Sequence, residues 1–188
     1  MRRVILCCAV AATLFVGGAE FVAARSQNRQ GEAAQTVGGQ GAQAVRVTGA
    51  KVLAVGLFSA AVARQDHSPD EADGLRGQTR DFRLLKRGNV LEAELGTGIG
   101  LRYQLIGAPK GAQVLVDVVV RHPQMVNPDT QLPMNMSSAE YERVIGKVEH
   151  SVWNFDTPGR LVPGEYVIEI VYRDQVLARQ VFRVRVRK

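Results

Sequence analysis

The sequence is poor in the residues that build redox and metal sites. It contains two cysteines, three histidines and one tryptophan in 188 residues. Both cysteines, Cys7 and Cys8, lie in the apolar segment at the start of the chain, where they count as apolar residues. The rest of the chain therefore has no disulfide, no thiolate nucleophile and no cysteine-ligated metal. We expect a domain that uses no cofactor and no metal and is stabilised by its core.

The chain also lacks an apolar run long enough for an ordinary membrane span. The uncharged stretch 4–19 is shorter than the roughly 20 residues that a spanning helix needs. Two arginines precede it and Val22-Ala23-Ala24 follows it, which is the pattern of a secretory signal peptide. We predict a signal peptide over residues 1–24, cleaved after Ala24 or, as second choice, after Ala19. An uncleaved N-terminal anchor is the alternative.

Large apolar residues are almost absent from the next segment. Residues 26–44 contain one, Val37, among glycines, glutamines and alanines. This composition cannot bury enough surface to offset the entropy lost on ordering. We predict a disordered linker over residues 25–44, either a spacer or a passive tail.

Signatures of catalysis are missing as well. The sequence has no Gly-x-Ser-x-Gly elbow and no His-x-His or His-Glu-x-x-His spacing. The stretch 96–100 lacks the third glycine of a dinucleotide-binding loop and precedes a strand, so we interpret it as a bulge or tight turn. A net charge of +6 is modest for a nucleic-acid binder. We expect a protein that is not an enzyme and does not bind nucleic acid.

What the sequence does have is a two-residue rhythm of apolar side chains from residue 45 onward. In Gln113–Arg121, one face carries Val114, Val116, Val118 and Val120. Such alternation buries one face of each strand and is typical of antiparallel sheets. Eight or nine short strands separated by turn signals predict an all-β fold, a β-sandwich, over residues 45–188. Ser137–Glu140 has the spacing of a capping box, so a short helical turn there is the alternative to strand.

The last two strands can be aligned from their side chains. A three-residue loop at Arg173–Gln175 places apolar residues opposite each other on one face and opposite charges on the other. The predicted pairs are Tyr166 with Phe182, Ile170 with Ala178, Glu169 with Arg179, and Glu165 with Arg183.

A ligand site is predicted at the end of the valine-rich strand. Arg121 and His122 open a segment, 122–139, that we expect to be a long loop containing Asp129. An arginine can hold a carboxylate or phosphate through two parallel hydrogen bonds. Arg121, His122 and Asp129 are therefore candidate ligand-binding residues. The alternative is that His122 satisfies backbone groups while Pro123 ends the strand.

A second candidate surface is the basic C-terminus. The predicted hairpin leaves Arg185, Arg187 and Lys188 without acidic partners at the end of the sheet. They are candidates for binding an anionic surface such as lipid head groups or acidic glycans. The alternative is a solvated edge whose charge discourages strand association.

Four spaced segments resemble a bacterial family, domain of unknown function 3859. They are Gly96-Thr97-Gly98-Ile99-Gly100-Leu101-Arg102-Tyr103, Val118-Val119-Val120-Arg121-His122-Pro123, Leu161-Val162-Pro163-Gly164-Glu165-Tyr166 and Leu177-Ala178-Arg179-Gln180-Val181-Phe182. The resemblance covers about residues 47–186. It implies an immunoglobulin-like sandwich in an exported protein, periplasmic or secreted, and it implies no reaction.

Together these observations predict a non-catalytic exported binding or interaction module of the cell envelope. Its partner is expected to be a protein or an anionic envelope component, with no membrane span after cleavage. Two alternatives stay open: an envelope structural protein that self-associates, and a carrier of small anionic ligands that uses Arg121 and His122.

Overall fold

The computed structural model describes residues 44–67 and 75–187. Every regular element in these ranges is a strand, as the apolar alternation predicts, and they contain no helix long and apolar enough to cross a membrane. The predicted signal peptide 1–24, residues 25–43 of the predicted linker, residues 68–74 and Lys188 lie outside the described residues.

The strands form two sheets. In chain order they are β1 (Arg46–His67), β2 (Leu75–Arg87), β3 (Val90–Ala93), β4 (Thr97–Ala108), β5 (Gln113–Val126), β6 (Pro133–Val144), β7 (Val148–Phe155), β8 (Gly164–Tyr172) and β9 (Gln175–Val186). One sheet has the order β2-β1-β4-β7 and the other β3-β9-β8-β5-β6. The sandwich fold is therefore confirmed. One pair departs from the antiparallel expectation. After β2 the chain crosses from the four-stranded to the five-stranded sheet, where β3 pairs in parallel with β9.

The core lies between the inner faces of the two sheets. On β4 the alternate residues Ile99, Leu101, Tyr103 and Leu105 are at most 1% exposed, and Arg102 between them is exposed. On β5 the four valines of the predicted face are buried in the same way. Each large apolar side chain buried here contributes about 1.5–3 kcal/mol, so this alternation is the main source of stability.

The β8–β9 hairpin has the register predicted from its side chains. Tyr166 faces Phe182, and Glu169 faces Arg179 with an ion pair of 3.2 Å. The other two predicted pairs are also present. The turn is shorter than expected: Arg173 and Asp174, at φ of 46° and 63°, form a two-residue turn, and a bulge after Ile170 takes up the remaining residue.

The long loop predicted over residues 122–139 is wrong. β5 continues to Val126 and β6 starts at Pro133, so Ser137–Glu140 is strand and not a helical turn. Pro123 is tolerated because the β5–β6 register shifts between Arg121 and Met125, where the ladder is interrupted. The remaining turn, 127–132, is organised by the fully buried Asn127, whose Oδ1 accepts the N–H groups of Asp129 and Thr130.

The glycines of the stretch 96–100 have two separate roles. Gly96, at φ of 82°, is in the turn before β4, as predicted. Gly98 and Gly100 lie inside β4 instead, where an added Cβ would clash with the backbone and side chain of Val152 and its neighbours on β7. The absence of side chains on these glycines therefore lets β7 pack closely on β4.

Replacing Phe182 with alanine tests the core. Phe182 is 0% exposed, and its truncation should lower the free energy of unfolding by about 3–5 kcal/mol in urea melts. Val176→Ala, on the same strand at a side chain that is 50% exposed, is the control and should cost under about 0.5 kcal/mol. A loss below about 1 kcal/mol for Phe182→Ala would contradict the core assignment.

Candidate functional site

A cleft of about 490 Å³ opens between the edge strands of the two sheets. β6 is the last strand of the five-stranded sheet and β7 is the last strand of the four-stranded sheet. The middle of the cleft is lined by small residues, Ala139 on β6 and Ser151 on β7, above Val118 and Val120 of β5. The sheets are bridged at either end of this gap, and the small side chains leave its centre open.

One bridge is built on Arg143 of β6. Its Nε donates to the hydroxyl of Tyr103 at 3.2 Å, and its Nη2 donates to the carbonyl of His150 at 3.4 Å. The same guanidinium lies 3.9 Å from the carboxylate of Glu149, which accepts the backbone N–H of Val144 at 3.3 Å. Because both side chains are mostly buried, this clamp fixes the distance between β6 and β7 at one end of the cleft.

The other bridge is built on His122 of β5. Its Nδ1 lies 2.8 Å from the carbonyl oxygen of Pro123, which can only accept, so Nδ1 carries the proton. In the neutral ring Nε2 then accepts the hydroxyl of Ser137 at 3.2 Å. The ring stacks on Trp153 of β7 with centroids 4.9 Å apart. Burial lowers the pKa of His122, against the hydrogen bond to Pro123, and the nearby Arg160 lowers it further.

Trp153 and Arg160 form the wall behind this bridge. The guanidinium carbon of Arg160 lies 4.0 Å from the centre of the indole, and its Nη1 lies 3.9 Å from Asp156. Both Trp153 and Arg160 are at most 5% exposed. A buried cation over an indole contributes up to about 2 kcal/mol, so the wall is a rigid part of the cleft.

The segment that carries Arg160 is tied down by Tyr166. The phenol of Tyr166 donates to the carbonyl oxygen of Val162 at 2.7 Å, and burial raises its pKa. A tyrosine at the start of a late strand that bonds to a carbonyl a few residues upstream is the tyrosine corner of immunoglobulin-like sandwiches. This corner holds the approach to β8 and, with it, the arginine behind Trp153.

The free edge of β7 faces the cleft with backbone groups. The carbonyl of His150 points away from β4, since it accepts from Arg143, whereas that of Phe155 points toward β4 and accepts from Gly96. Backbone direction alternates along a strand, so the N–H and C=O of Val152 face the same way as those of His150. Within residues 44–67 and 75–187 no strand pairs with this edge.

The residues predicted as a ligand site do not come together. Arg121 and His122 are neighbours on β5 and therefore point to opposite faces of the sheet. Arg121 is exposed on the outer face, 3.8 Å from Glu169, whereas His122 is 6% exposed in the interior. Asp129 lies in the exposed turn 127–132, with its N–H bonded to Asn127.

The basic C-terminus is also arranged differently from expectation. Arg187 lies 3.6 Å from Glu94, and Arg185 is the register partner of Glu92 in the parallel β3–β9 pair. The prediction that Arg187 has no acidic partner is therefore wrong. It considered only the β8–β9 hairpin, whereas Glu94 directly follows β3, the strand on the other side of β9. Lys188 is outside the described residues.

Four cleft residues were not predicted as site residues: Arg143, Trp153, Arg160 and Ser137, which was considered only for a helical turn. The signal for Trp153 was its position as the one tryptophan of the chain on a predicted strand. Arg143, Arg160 and Ser137 give no such signal, because the sequence alone does not distinguish a buried arginine or serine from an exposed one. Among the described residues, no group of three or more His, Cys, Asp or Glu is placed to hold a metal ion.

Comparison with known proteins supplies a family. The family profile described as Domain of unknown function (DUF3859) matches residues 46–184. No curated protein matches the chain. Among solved structures, it is similar to an immunoglobulin-like protein from Pseudomonas aeruginosa solved at 1.50 Å, with 26% identity and a TM-score of 0.48 over 77% of this chain and 100% of that one.

A second solved structure is more distant. It is the alkylpurine DNA glycosylase AlkC of Pseudomonas fluorescens bound to DNA with an abasic-site analogue, at 16% identity and a TM-score of 0.36. The match covers 73% of this chain and 31% of the glycosylase.

Replacing Tyr166 with phenylalanine tests the tyrosine corner. The change removes one hydroxyl and leaves the carbonyl of Val162 without that donor, so it should lower the free energy of unfolding by about 1–3 kcal/mol. Urea melts measure the loss, and Tyr172→Phe, at a tyrosine 8% exposed in the core, is the matched control. Equal and negligible losses would show that the corner is not stabilising.

His122 should make stability depend on pH. Its pKa lies below the ordinary value of 6.5 in the folded state, so the unfolded chain binds more protons between the two pKa values. The contribution of neutral His122 to the free energy of unfolding should be complete above pH 6.5. It should decrease as the pH drops below 6.5 and level off below the pKa of His122 in the folded protein. Urea melts of His122→Gln across this range should show a flatter profile. His150→Gln is the comparison, because burial and Arg102 also lower the pKa of His150; an unchanged slope in His122→Gln would contradict the assignment.

Proposed function

The chain belongs to the family described as Domain of unknown function (DUF3859), and for this member we propose a non-catalytic, exported interaction module that binds an extended polypeptide. The binding site is the cleft between β6 and β7. Export rests on the leader pattern of residues 1–24, with the periplasm or the extracellular space as the destination and an uncleaved anchor as the alternative.

The observation that carries this proposal is the combination of a free strand edge with a cavity beside it. An extended peptide placed along β7 would pair with the backbone of Val152 and continue the four-stranded sheet. Alternate side chains of a strand point to opposite faces, so one of the peptide's side chains would enter the gap between Ala139 and Ser151. A volume of about 490 Å³ is within the usual range of ligand sites.

The rigid ends of the cleft favour such a role. Association loses less entropy when the site is already formed. The Arg143–Glu149 clamp and the His122–Trp153 stack hold the two edges apart without a ligand. The rim carries exposed Glu140 and Glu142 on β6, which favours peptides with a basic residue next to the apolar one.

The Ser137–His122 pair does not alter the non-catalytic assignment. The hydroxyl donates to the imidazole as in serine hydrolases, and a serine nucleophile requires that arrangement. Ser137 and His122 are only 2% and 6% exposed, however, and the imidazole packs on Trp153. Their role is to join β5, β6 and β7. The alternative of a small-anion carrier loses its support, since Arg121 and His122 lie on opposite faces of β5.

Peptide selection on the full-length protein tests the proposal. Peptides recovered from a random displayed library should change the emission of Trp153, the only tryptophan in the chain, because it lines the cleft. Ala139→Leu fills the gap and should weaken binding at least about tenfold, the loss expected when a buried side chain is excluded.

Ser138→Leu is the matched control, because it adds similar bulk to the opposite face of β6 and should leave affinity unchanged. Peptides that bind Ala139→Leu as well as they bind the wild type would place the site elsewhere. Light scattering that shows concentration-dependent oligomers, with no peptide selected, would favour the self-associating alternative.

A further inference from the structure

The outer face of the four-stranded sheet carries basic residues in adjacent rows. Strand register defines these rows. Lys51 on β1 is opposite Gln104 on β4, and Arg102 is opposite Ala54 on one side and His150 on the other. Arg46 is opposite Ala108, and Arg87 on β2 is opposite Gly56. We call the four exposed cations Arg46, Lys51, Arg87 and Arg102 the basic face.

These residues share one side of the sheet because the opposite side forms the core. Ile99, Leu101, Tyr103 and Leu105 of β4 point inward and are buried. Their even-numbered neighbours, and the register partners of those neighbours, therefore point outward. From the row of Gly100 to that of Ala108 the face extends about 26 Å along β4. All four cations are exposed.

Carboxylates are absent from the central part of this face. The outward positions of β1 up to Ser59, of β4 and of β7 include no aspartate or glutamate. Glu149 points inward, into the clamp with Arg143. Asp81, on the outermost strand β2, is the one carboxylate of that strand whose side chain is described. The positive potential of the basic face is therefore not neutralised within its own rows.

Two exposed aliphatic side chains lie among the cations. Ile106 is 50% exposed in the row of Gly49, and Val148 is 46% exposed in the row of Lys51 and Gln104. A surface that combines exposed, separated cations with exposed aliphatic groups is complementary to an anionic bilayer, where head groups carry charge and the interface accepts apolar side chains. An acidic glycan would match the charges but not the aliphatic groups.

We propose that the outer face of the β2-β1-β4-β7 sheet docks on an anionic phospholipid surface through Arg46, Lys51, Arg87 and Arg102. This interaction uses a surface next to the peptide cleft, because His150, the register partner of Arg102, also lines that cleft. It also replaces the C-terminal arginine row as the lipid-binding candidate, because that row lies beside Glu92 and Glu94.

Vesicle sedimentation of the full-length protein tests this assignment. Binding is measured on phosphatidylcholine vesicles with and without phosphatidylglycerol, at low and high salt. The leader, with its two arginines, is the same in every variant, so differences between variants in the increment due to phosphatidylglycerol report the substituted surfaces. We expect this increment to be clear at low salt and to vanish at high salt, where exposed charges are screened.

The double variant Lys51→Gln/Arg102→Gln should reduce the phosphatidylglycerol-dependent affinity about 25-fold, at about fivefold per basic residue. The matched control Arg183→Gln/Arg185→Gln removes the same charge from the outer face of the other sheet and should bind as the wild type does. Thermal melts verify that both double variants fold. If Lys51→Gln/Arg102→Gln does not fold, the single variant Lys51→Gln takes its place, with an expected loss of affinity of about fivefold.

Three outcomes would overturn the proposal. Equal losses in both double variants would show that net charge, and not this face, drives binding. A loss confined to Arg183→Gln/Arg185→Gln would assign the site to the C-terminal strand. Binding to heparin, with no increment on phosphatidylglycerol vesicles, would identify an acidic glycan as the partner instead of a membrane.

Discussion

Each strand of this domain has two faces, and only one of them can be buried between the sheets. That constraint decides most of the structure. It places the alternate apolar residues of β4, β5 and β8 in the core, where burial stabilises the fold by more than any single polar contact. It also separates Arg121 from His122, although the two are adjacent in sequence, and it collects the basic face on the opposite side of β4 from the core.

The cleft lies at the edges of the two sheets, where the inward-facing side chains no longer fill the space between them. At the centre of the sandwich, large side chains from both sheets fill the space between them. At the β6–β7 edge the inward residues Ala139 and Ser151 are small, and polar bridges at each end keep the sheets apart. A tightly packed interior would have no room for a ligand. The clamp at Arg143 and the stack at His122 are thus both structural supports and the boundaries of a site.

This arrangement produces two surfaces, the cleft and the basic face, which would bind their partners through different interactions. The cleft offers backbone hydrogen bonds and a cavity, which give specificity for an extended chain. The basic face offers long-range attraction and shallow apolar contact, which favour a surface over a particular molecule. The first lies at a sheet edge and the second on the adjoining sheet face, and His150, opposite Arg102, lies where they meet.

The amino-acid sequence by itself determined that the domain is built of strands, which face of β4 and β5 is buried, the register of the β8–β9 hairpin and the family. These depend on local alternation and on charges a few residues apart in a hairpin. Only the tertiary structure decided that Pro123 lies inside a strand, that β3 joins β9 in parallel next to Arg187, and that β6 and β7 become the edges of one cleft. Those features depend on pairing between strands distant in the chain, which is selected by the hydrogen bonds and burial of the whole sandwich.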